Sequence, residues 1–258
     1  MHRVLGKLVI AVCILGAPTQ LAQAEEPLHA RSEQFFPLPL DGKLNIENLD
    51  GSIHVFGWYE PRVRLAAVCN AYTAPRLKQI RVDTKATPDS LTVRTIIRPT
   101  HGLFADRSGT VDYILNVPEQ AQLTLHVANG EILVQGLRGG SARIELGNGR
   151  VFLRNCFARI EAHAVHGAMD VFYEWWENAP AVFHLVLDHG RIGALLPVAA
   201  RIRVDAATAN GQVGNGFGIA IFHTAGPGHM MRGANAPDPP VSFHLRTGGG
   251  NISIDSWH

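Results

Sequence analysis

Hydrophobic and polar residues alternate in short segments along most of this chain, and each segment is divided by a glycine. Residues 123–134, LTLHVANGEILV, show the arrangement. Leu123 and Leu125 stand seven and five positions before Gly130, and Ile132 stands two positions after it. Because side chains in a strand alternate between its two faces, a spacing of two predicts β-strands on both sides of the glycine.

The segment occurs seven times with the glycine in the same place. The copies are residues 44–55, 123–134, 142–153, 160–171, 183–194, 204–215 and 243–254. They align on Gly51, Gly130, Gly149, Gly167, Gly190, Gly211 and Gly250. The same three positions are apolar in every copy. The glycine and the Asp, Asn, His or Gly before it tolerate positive φ, so this pair predicts a structural turn between the two strands.

The spacing of the copies decides between a string of hairpins and a stack of coils. From Gly130 onward, successive turn glycines are 19, 18, 23 and 21 residues apart. This period suits one coil of a solenoid. The sequence therefore predicts an all-β fold, a single-stranded, β-helix-like β-solenoid with coils of about 18–23 residues. Each coil would stack on the last at ~4.8 Å, with its inward residues forming apolar columns.

Residues 59–122 lack the repeat glycine but contain four strand-like runs. These are Arg62–Val68, Ile80–Thr84, Leu91–Ile97 and Val111–Val117. We interpret them as irregular β-structure that covers the N-terminal end of the stack, since an open end exposes unpaired strand edges. The predicted organisation is an N-terminal extension, 25–39, and a single domain, 40–258, with irregular β-structure at 59–122 and regular coils at 123–255. An imperfect coil is expected at 219–230.

Three segments together resemble a bacterial family of exported proteins of unknown function that is named "putative adhesin". They are LNIENLDGSIHVFGW at 44–58, VDYILNVPEQAQLTLHVANGEILVQGLRG at 111–139 and LRTGGGNISID at 245–255. The resemblance covers roughly residues 40–255 and implies an exported β-solenoid with an adhesin role. It supplies no catalytic motif. The chain departs from the family in insertions around 172–181 and 226–240, so surface properties there are not inherited.

The N-terminus has the pattern of a secretory signal peptide. Arg3 and Lys7 precede an apolar run at 8–17, and Ala22-Gln23-Ala24 gives a small-x-small cleavage site. The alternative, a membrane anchor, needs about 20 apolar residues, and this run is shorter. We therefore predict a signal peptide at 1–24, a mature chain from Glu25 without a transmembrane segment, and an exported protein that is periplasmic, secreted or at the cell surface.

Composition and charge narrow the partners. The chain is 46% hydrophobic and 17% charged, so it can bury a core. Without Arg3 and Lys7 it has 21 basic and 22 acidic residues, a net charge of −1. A nucleic-acid-binding protein would show a strong basic excess. Nucleic acid is therefore not an expected partner.

Two cysteines remain after the predicted leader. Cys69 and Cys156 each stand among apolar neighbours. They are interpreted as two small buried side chains. An oxidising compartment would also permit a disulfide between them, and the sequence leaves that alternative open.

One polar column is a candidate metal site. Four positions before the turn glycine, three consecutive copies carry His126, Glu145 and His163. Imidazole and carboxylate are zinc ligands, but ligands stacked ~5 Å apart do not form a tetrahedron. An exposed polar ladder is the alternative. The sequence predicts neither a metal nor a cofactor.

The insertion FYEWWENAP, 172–180, is the candidate binding site. Adjacent Trp175 and Trp176 cannot both point inward in an extended chain, and Tyr173 stands beside them. Exposed aromatic rings could stack on sugar faces or hold a partner. The alternative is a loop folded over the side of the solenoid. The segment 216–240 is either a mobile loop with Met230 and Met231 exposed, or a degenerate coil with an irregular excursion.

The acids do not form an obvious catalytic pair. Asp170, Asp188 and Asp205 occupy different repeat positions, and glycoside hydrolysis requires two carboxyl groups at a defined separation. The sequence favours a non-enzymatic, adhesin-like binding or scaffold protein of the cell envelope, with polysaccharide or an envelope or surface protein as partner. The alternatives are a polysaccharide-cleaving β-helix enzyme and a self-assembling structural protein.

Overall fold

The computed structural model describes residues 26–100, 106–223 and 226–258, and most of them fold as β-strand. The predicted signal peptide lies outside these residues. The elements are β1 (Leu28–Pro37), β2 (Lys43–Trp58), β3 (Arg62–Ala71), α1 (Ala74–Leu77), β4 (Ile80–Ala86), β5 (Ser90–Ile97), β6 (Thr110–Pro118), β7 (Gln122–Gln135), β8 (Arg138–Arg154), β9 (Phe157–Phe172), β10 (Ala181–Pro197), β11 (Ile202–Asn210), β12 (Val213–Asn215), β13 (Ile221–His223), β14 (His229–Ala234), β15 (Val241–Gly249) and β16 (Ile252–Trp257). The all-β prediction is confirmed.

Within the described residues, all strands belong to one open sheet. Its main path is β1-β3-β6-β2-β7-β8-β9-β10-β15-β11-β14-β13. In the middle of this path β2, β7, β8, β9 and β10 pair in parallel, each with the next copy of the repeat. The turn glycines pair with one another, so the copies are in register. Hairpins would require antiparallel pairing of the two arms within one copy. The observed pairing is instead parallel and joins each copy to the next.

The last two copies of the repeat are out of sequence order. Chain order predicts that residues 204–215 follow 183–194, but β15 pairs with both β10 and β11 and thus lies between them. Phe243 of β15 packs on Phe183 of β10 with the rings nearly parallel and their centroids 4.9 Å apart. The other edge of β11 is paired with β14, which runs antiparallel to it. The expectation that each copy stacks on its predecessor is therefore wrong at this point.

The excursion after β12 covers the outer edge of β11 as an antiparallel pair. β13 and β14 pair with each other, and β14 pairs with β11. Ile219 is buried but Ile221 is exposed, so the imperfect coil expected at 219–230 is absent. Met231 is fully buried, because it packs inward from β14, so the alternative with Met231 exposed on a mobile loop is not realised.

At the opposite end, the irregular segment pairs with the outer edge of β2. β5 runs parallel to the first part of β2, and β6 runs parallel to its second part. β4 pairs antiparallel with β5, while β3 pairs antiparallel with β6. All four strand-like runs predicted in 59–122 are strands. The predicted extension contains β1, which pairs antiparallel with β3.

The predicted inward positions form the core. All three apolar positions of every copy are buried, as Leu125, Ile132, Phe183 and Leu245 illustrate. Burying such side chains is worth about 1.5–3 kcal/mol each before entropy is subtracted. Because each copy contributes only a few of them, its stability depends on the copies above and below it.

The turn glycines form a ladder of their own. Their φ angles lie between +120° and +155°. A Cβ on Gly149 would lie 1.8 Å from the carbonyl oxygen of Gly130. The preceding polar residues do not share the positive φ. They stack instead: Asn148 donates a 2.9 Å hydrogen bond to Asn129, and the rings of His166 and His189 are stacked at 5.2 Å.

Both described cysteines are free thiols, so the disulfide alternative is not realised. Cys156 is buried and donates to the carbonyl of Val134 at 3.3 Å. Burial raises the pKa of this thiol to about 11, so it is protonated at neutral pH. Cys69 is half-buried, and burial raises the pKa of its thiol as well. Neither cysteine has the lowered pKa of a nucleophile.

Candidate functional site

An apolar concavity on the outward side of the stack lies on the second arm of the repeat. It has a volume of about 420 Å³ and runs across β8, β9, β10 and β16. Its lining comes from outward positions one, three and five after the turn glycine. The residues at these positions are Arg150, Phe152, Asp170, Phe172, Arg191, Gly193, Leu195, Ser253 and Asp255.

Gly193 creates the space in this groove. It pairs with Asp170 on one side and with Ser253 on the other. A Cβ at Gly193 would lie 3.1 Å from Oδ1 of Asp170 and 3.9 Å from Oγ of Ser253. The missing side chain therefore leaves a gap in the column three positions after the turn.

Two arginines hold Asp170 at the side of the groove. Arg150 donates from Nε to Oδ2 of Asp170 at 2.8 Å, and Arg191 donates from Nη1 to Oδ1 at 2.7 Å. The Asp170 side chain is 13% exposed, against 48% for Arg150 and 59% for Arg191. The carboxylate is therefore enclosed while both guanidinium groups still reach solvent, where they can donate further hydrogen bonds.

Aromatic and aliphatic side chains form the apolar part. Phe172 and Leu195 are register partners on β9 and β10, and Leu195 is exposed. The guanidinium carbon of Arg150 lies 5.3 Å from the centre of the Phe152 ring. A ligand in the groove would thus meet apolar surface beside fixed hydrogen-bond donors, which is the usual composition of a small-molecule or sugar site.

Tyr173 of the predicted site is a core residue. Its side chain is fully buried, its hydroxyl donates to the carbonyl of Cys156, and its ring packs edge-on against Phe157 at 5.0 Å. Trp257 donates to the Tyr173 carbonyl at 3.0 Å. The expectation that Tyr173 contacts a ligand is therefore corrected, since Tyr173 directly follows β9 and continues its alternation, which turns the side chain inward.

The two tryptophans are placed differently. Trp176 is half-buried, with its ring edge-on to Tyr173 at 5.5 Å. Trp175 is 46% exposed and donates from Nε1 to Glu177 at 2.8 Å. Glu177 accepts from Arg138 at 3.0 Å, and this arginine lowers the pKa of the Glu177 carboxyl. Trp175 is thus an exposed ring held by its neighbour.

Trp175 lies near the groove. It follows Phe172 by three residues, and three residues span at most about 11 Å. Glu174, between them, pairs with Arg154, and the guanidinium carbon of Arg154 lies 6.0 Å from the centre of the Phe172 ring. The Trp175 backbone therefore lies within about 11 Å of the Phe172 end of the groove, and we call the groove together with this indole the groove face.

The groove residues were not singled out from the sequence. Phe152, Phe172 and Leu195 are apolar residues at positions that the repeat pattern turns outward. Apolar residues at outward positions were the signal in the sequence that could have identified the groove. Gly193 carried a second signal, because glycine is unfavourable in a strand unless it leaves room for something.

The side chains of the candidate metal column do not converge. His126 pairs with Glu145 at 3.2 Å, whereas His163 turns away to Asp188 at 3.3 Å. Among the residues that the structure describes, no three His, Cys, Asp or Glu side chains could hold a metal ion together. The column is a set of exposed ion-pairing side chains.

The displaced carboxyl pKa values in the described chain are all lowered. Neighbouring arginines are the leading cause at Glu33, Glu47, Glu161, Glu174 and Glu177, and hydrogen bonds from Ser108 and Thr73 lower the pKa of Asp106. Lowered values keep these groups ionised at neutral pH. A general acid requires the opposite shift.

Comparison with known proteins identifies the fold class. The chain is similar to a crystal structure described as "a putative cell adhesion protein from Clostridium sporogenes", with 12% identity, a TM-score of 0.50, and coverage of 88% of this chain and 100% of that one. At this identity the likeness shows the fold alone.

Two further similar structures have lower scores. One is described as "a putative adhesin" from Bacteroides fragilis, with 8% identity, a TM-score of 0.25 and coverage of 87% and 97%. Another is described as a "Putative lipid binding protein" from Parabacteroides distasonis, with 6% identity, a TM-score of 0.24 and coverage of 88% and 97%. No protein-family model and no curated protein matches the chain. The one helix of the described chain, α1, is too short to cross a membrane.

Proposed function

We propose that this chain is an exported, non-catalytic, adhesin-like binding protein of the bacterial cell envelope, built as a β-solenoid. The in-register parallel stack of repeat copies supports the solenoid interpretation. The signal-peptide pattern at 1–24 supports export. The names of the similar structures agree with a binding role.

The groove face is the observation that carries the binding role. Apolar Phe172 and Leu195 lie beside the Arg150–Asp170–Arg191 cluster. Sugar rings have the matching surface, with apolar C–H faces and hydroxyl groups at their edges. The groove crosses several coils, so its long axis suits a chain of sugars rather than a single small molecule. We therefore propose an extended polysaccharide as the ligand.

The rigid stack would hold the groove in shape before a ligand binds. Arg191, Asp170 and Arg150 fix one another by short hydrogen bonds. Pre-positioned donors lose little conformational freedom on binding, which favours affinity. Trp175 would add a stacking ring at the edge of the groove.

Binding of the protein to an array of purified bacterial and host polysaccharides tests the proposed ligand class. Substitutions at the position three residues after a turn glycine test whether the groove is the binding site. Gly193→Val fills the groove, because any side chain there meets Asp170 and Ser253. We expect it to weaken binding of the polysaccharide that the unaltered protein selects by about tenfold or more. Trp175→Ala should weaken binding as well.

Gly214→Val is the matched control. Gly214 occupies the same repeat position on β12, and a Cβ there meets nothing within 4 Å. Its affinity should equal that of the unaltered protein. Equal binding by Gly193→Val would refute the groove as the site. Failure to bind any polysaccharide would overturn the proposed ligand class. Release of reducing ends from a bound polysaccharide would overturn the proposed non-catalytic role.

A further inference from the structure

β1 is an unusually open edge of the sheet. Within the described chain it pairs only with β3, through all ten of its residues and without a bulge. Nine of its ten residues are exposed, including Leu28 and Phe35. α1 lies near the beginning of β1 but leaves Leu28 exposed. The second edge of β1 therefore presents its backbone N–H and C=O groups for pairing.

Natural proteins usually protect such an edge. Common devices are charged side chains, lysine above all, proline within the strand, a bulge, or a very short strand. β1 has its only proline at the last position, Pro37, and its charged residues, Arg31 and Glu33, are of opposite sign. The opposite end of the sheet is protected by a short strand, because β13 has three residues. A bulge-free edge of ten residues that carries both charge signs fits a strand that is paired in the assembled protein.

The side chains of β1 are complementary to a second copy of β1. Suppose that two β1 strands pair antiparallel about a two-fold axis at Ser32. Arg31 of each copy then lies opposite Glu33 of the other, so the dimer contains this pair twice. On the other face of the strand, Leu28 then lies opposite Phe36. Opposite charges and apolar pairs that face each other across strands stabilise the pairing.

Neighbouring registers are excluded by the same charges. Moving the two-fold axis to Arg31 places two arginines opposite each other, and moving it to Glu33 places two glutamates opposite each other. Like charges directly opposite are destabilising. Arg31 and Glu33 are both accessible, with side chains 62% and 36% exposed. The charge pattern therefore favours the register centred on Ser32 over the two registers next to it.

We propose that two copies of this chain form a two-fold dimer by antiparallel pairing of β1 with β1, centred on Ser32. The sheet then continues from β3 through both β1 strands into β3 of the other copy. A two-fold contact is closed, so it yields dimers and not filaments. The proposal does not depend on the groove face or its ligand.

Cysteine cross-linking tests the register. Residues paired on the two-fold axis have Cα atoms about 4.5–5.5 Å apart, within the range of a disulfide. Ser32→Cys should therefore give a covalent dimer on mild oxidation. Gln34→Cys is the matched control: it is also exposed on β1, but its two copies would lie four residues apart along the strands, about 13 Å. Equal cross-linking of both variants would overturn the register.

Charge exchange tests the partner in solution. Sedimentation equilibrium should show a dimer whose dissociation constant rises about tenfold or more in Arg31→Glu and in Glu33→Arg. Mixing these two variants should restore the dimer, because both charged pairs between the two copies are then opposite in sign. A monomeric unaltered protein, or variants that dimerise as well as it does, would overturn the proposal.

Discussion

Each turn glycine meets two separate requirements, one of conformation and one of space. Gly149 has φ of +136°, and a Cβ there would lie 1.8 Å from the carbonyl oxygen of Gly130. Gly139 meets only the first requirement, because it has φ of +72° and open space around it. The pair separates backbone strain from the close approach of stacked copies.

We expect Gly149→Ala to lower the free energy of unfolding by at least about 3 kcal/mol, since strain and steric overlap both act. Gly139→Ala should lower the free energy of unfolding by about 1–2 kcal/mol, because alanine is strained in a left-handed conformation. Urea denaturation measures both values. Equal losses in the two variants would show that conformation alone requires glycine in the turn.

For single residues, the sequence predicted much of what the structure shows. The inward positions were assigned correctly because alternation along a strand is a local property. Tyr173 was assigned wrongly, since the strand alternation was not carried past Phe172 into the insertion. Whether Trp175 or Trp176 is more exposed depends on Tyr173 and Phe157, which pack against Trp176.

Among the elements, the position of β15 distinguishes the structure from a simple stack. Val186 and Arg246 are register partners on β10 and β15, and Arg246 pairs in turn with Ala207 of β11. In a stack that followed chain order, Val186 would face Ala207. The two arrangements therefore place different residues next to Val186.

We expect the double variant Val186→Cys and Arg246→Cys to form a disulfide on oxidation, because neighbouring strands are about 4.8 Å apart. The matched double variant Val186→Cys and Ala207→Cys should not, because two strand spacings separate its thiols. Mass spectrometry of the cross-linked peptides gives the answer. The opposite result would restore the sequential order.

As a whole molecule, the protein has a parallel stack whose two ends are covered by different segments. β5 and β6 pair with one end of the stack, and β14 pairs with the other. The first described strand begins at Leu28, so removal of residues 1–24 leaves every described strand intact. Export of a cleaved chain is therefore compatible with this fold.

We expect the protein recovered from bacterial envelopes to begin at Glu25, as intact-mass measurement would show. Ala24→Arg should block cleavage, because the site requires a small residue there. Gln23→Arg is the control, since the middle residue of the small-x-small pattern is unrestricted. Unprocessed protein in the cytoplasm would contradict export.

The sequence by itself determined the strands of the repeat copies and of residues 59–122, the inward and outward faces of the repeat strands, and the turn glycines. Each depends on stereochemistry within a few residues, and the sevenfold repeat shows it again and again. Only the tertiary structure decided the order β10, β15, β11 and the composition of the groove face. Gly193 meets Asp170 and Ser253 across the sheet although they lie 23 and 60 residues away along the chain. Such contacts follow from which strands pair, and pairing is set by packing energies between residues distant in sequence, as in the stacking of Phe183 on Phe243.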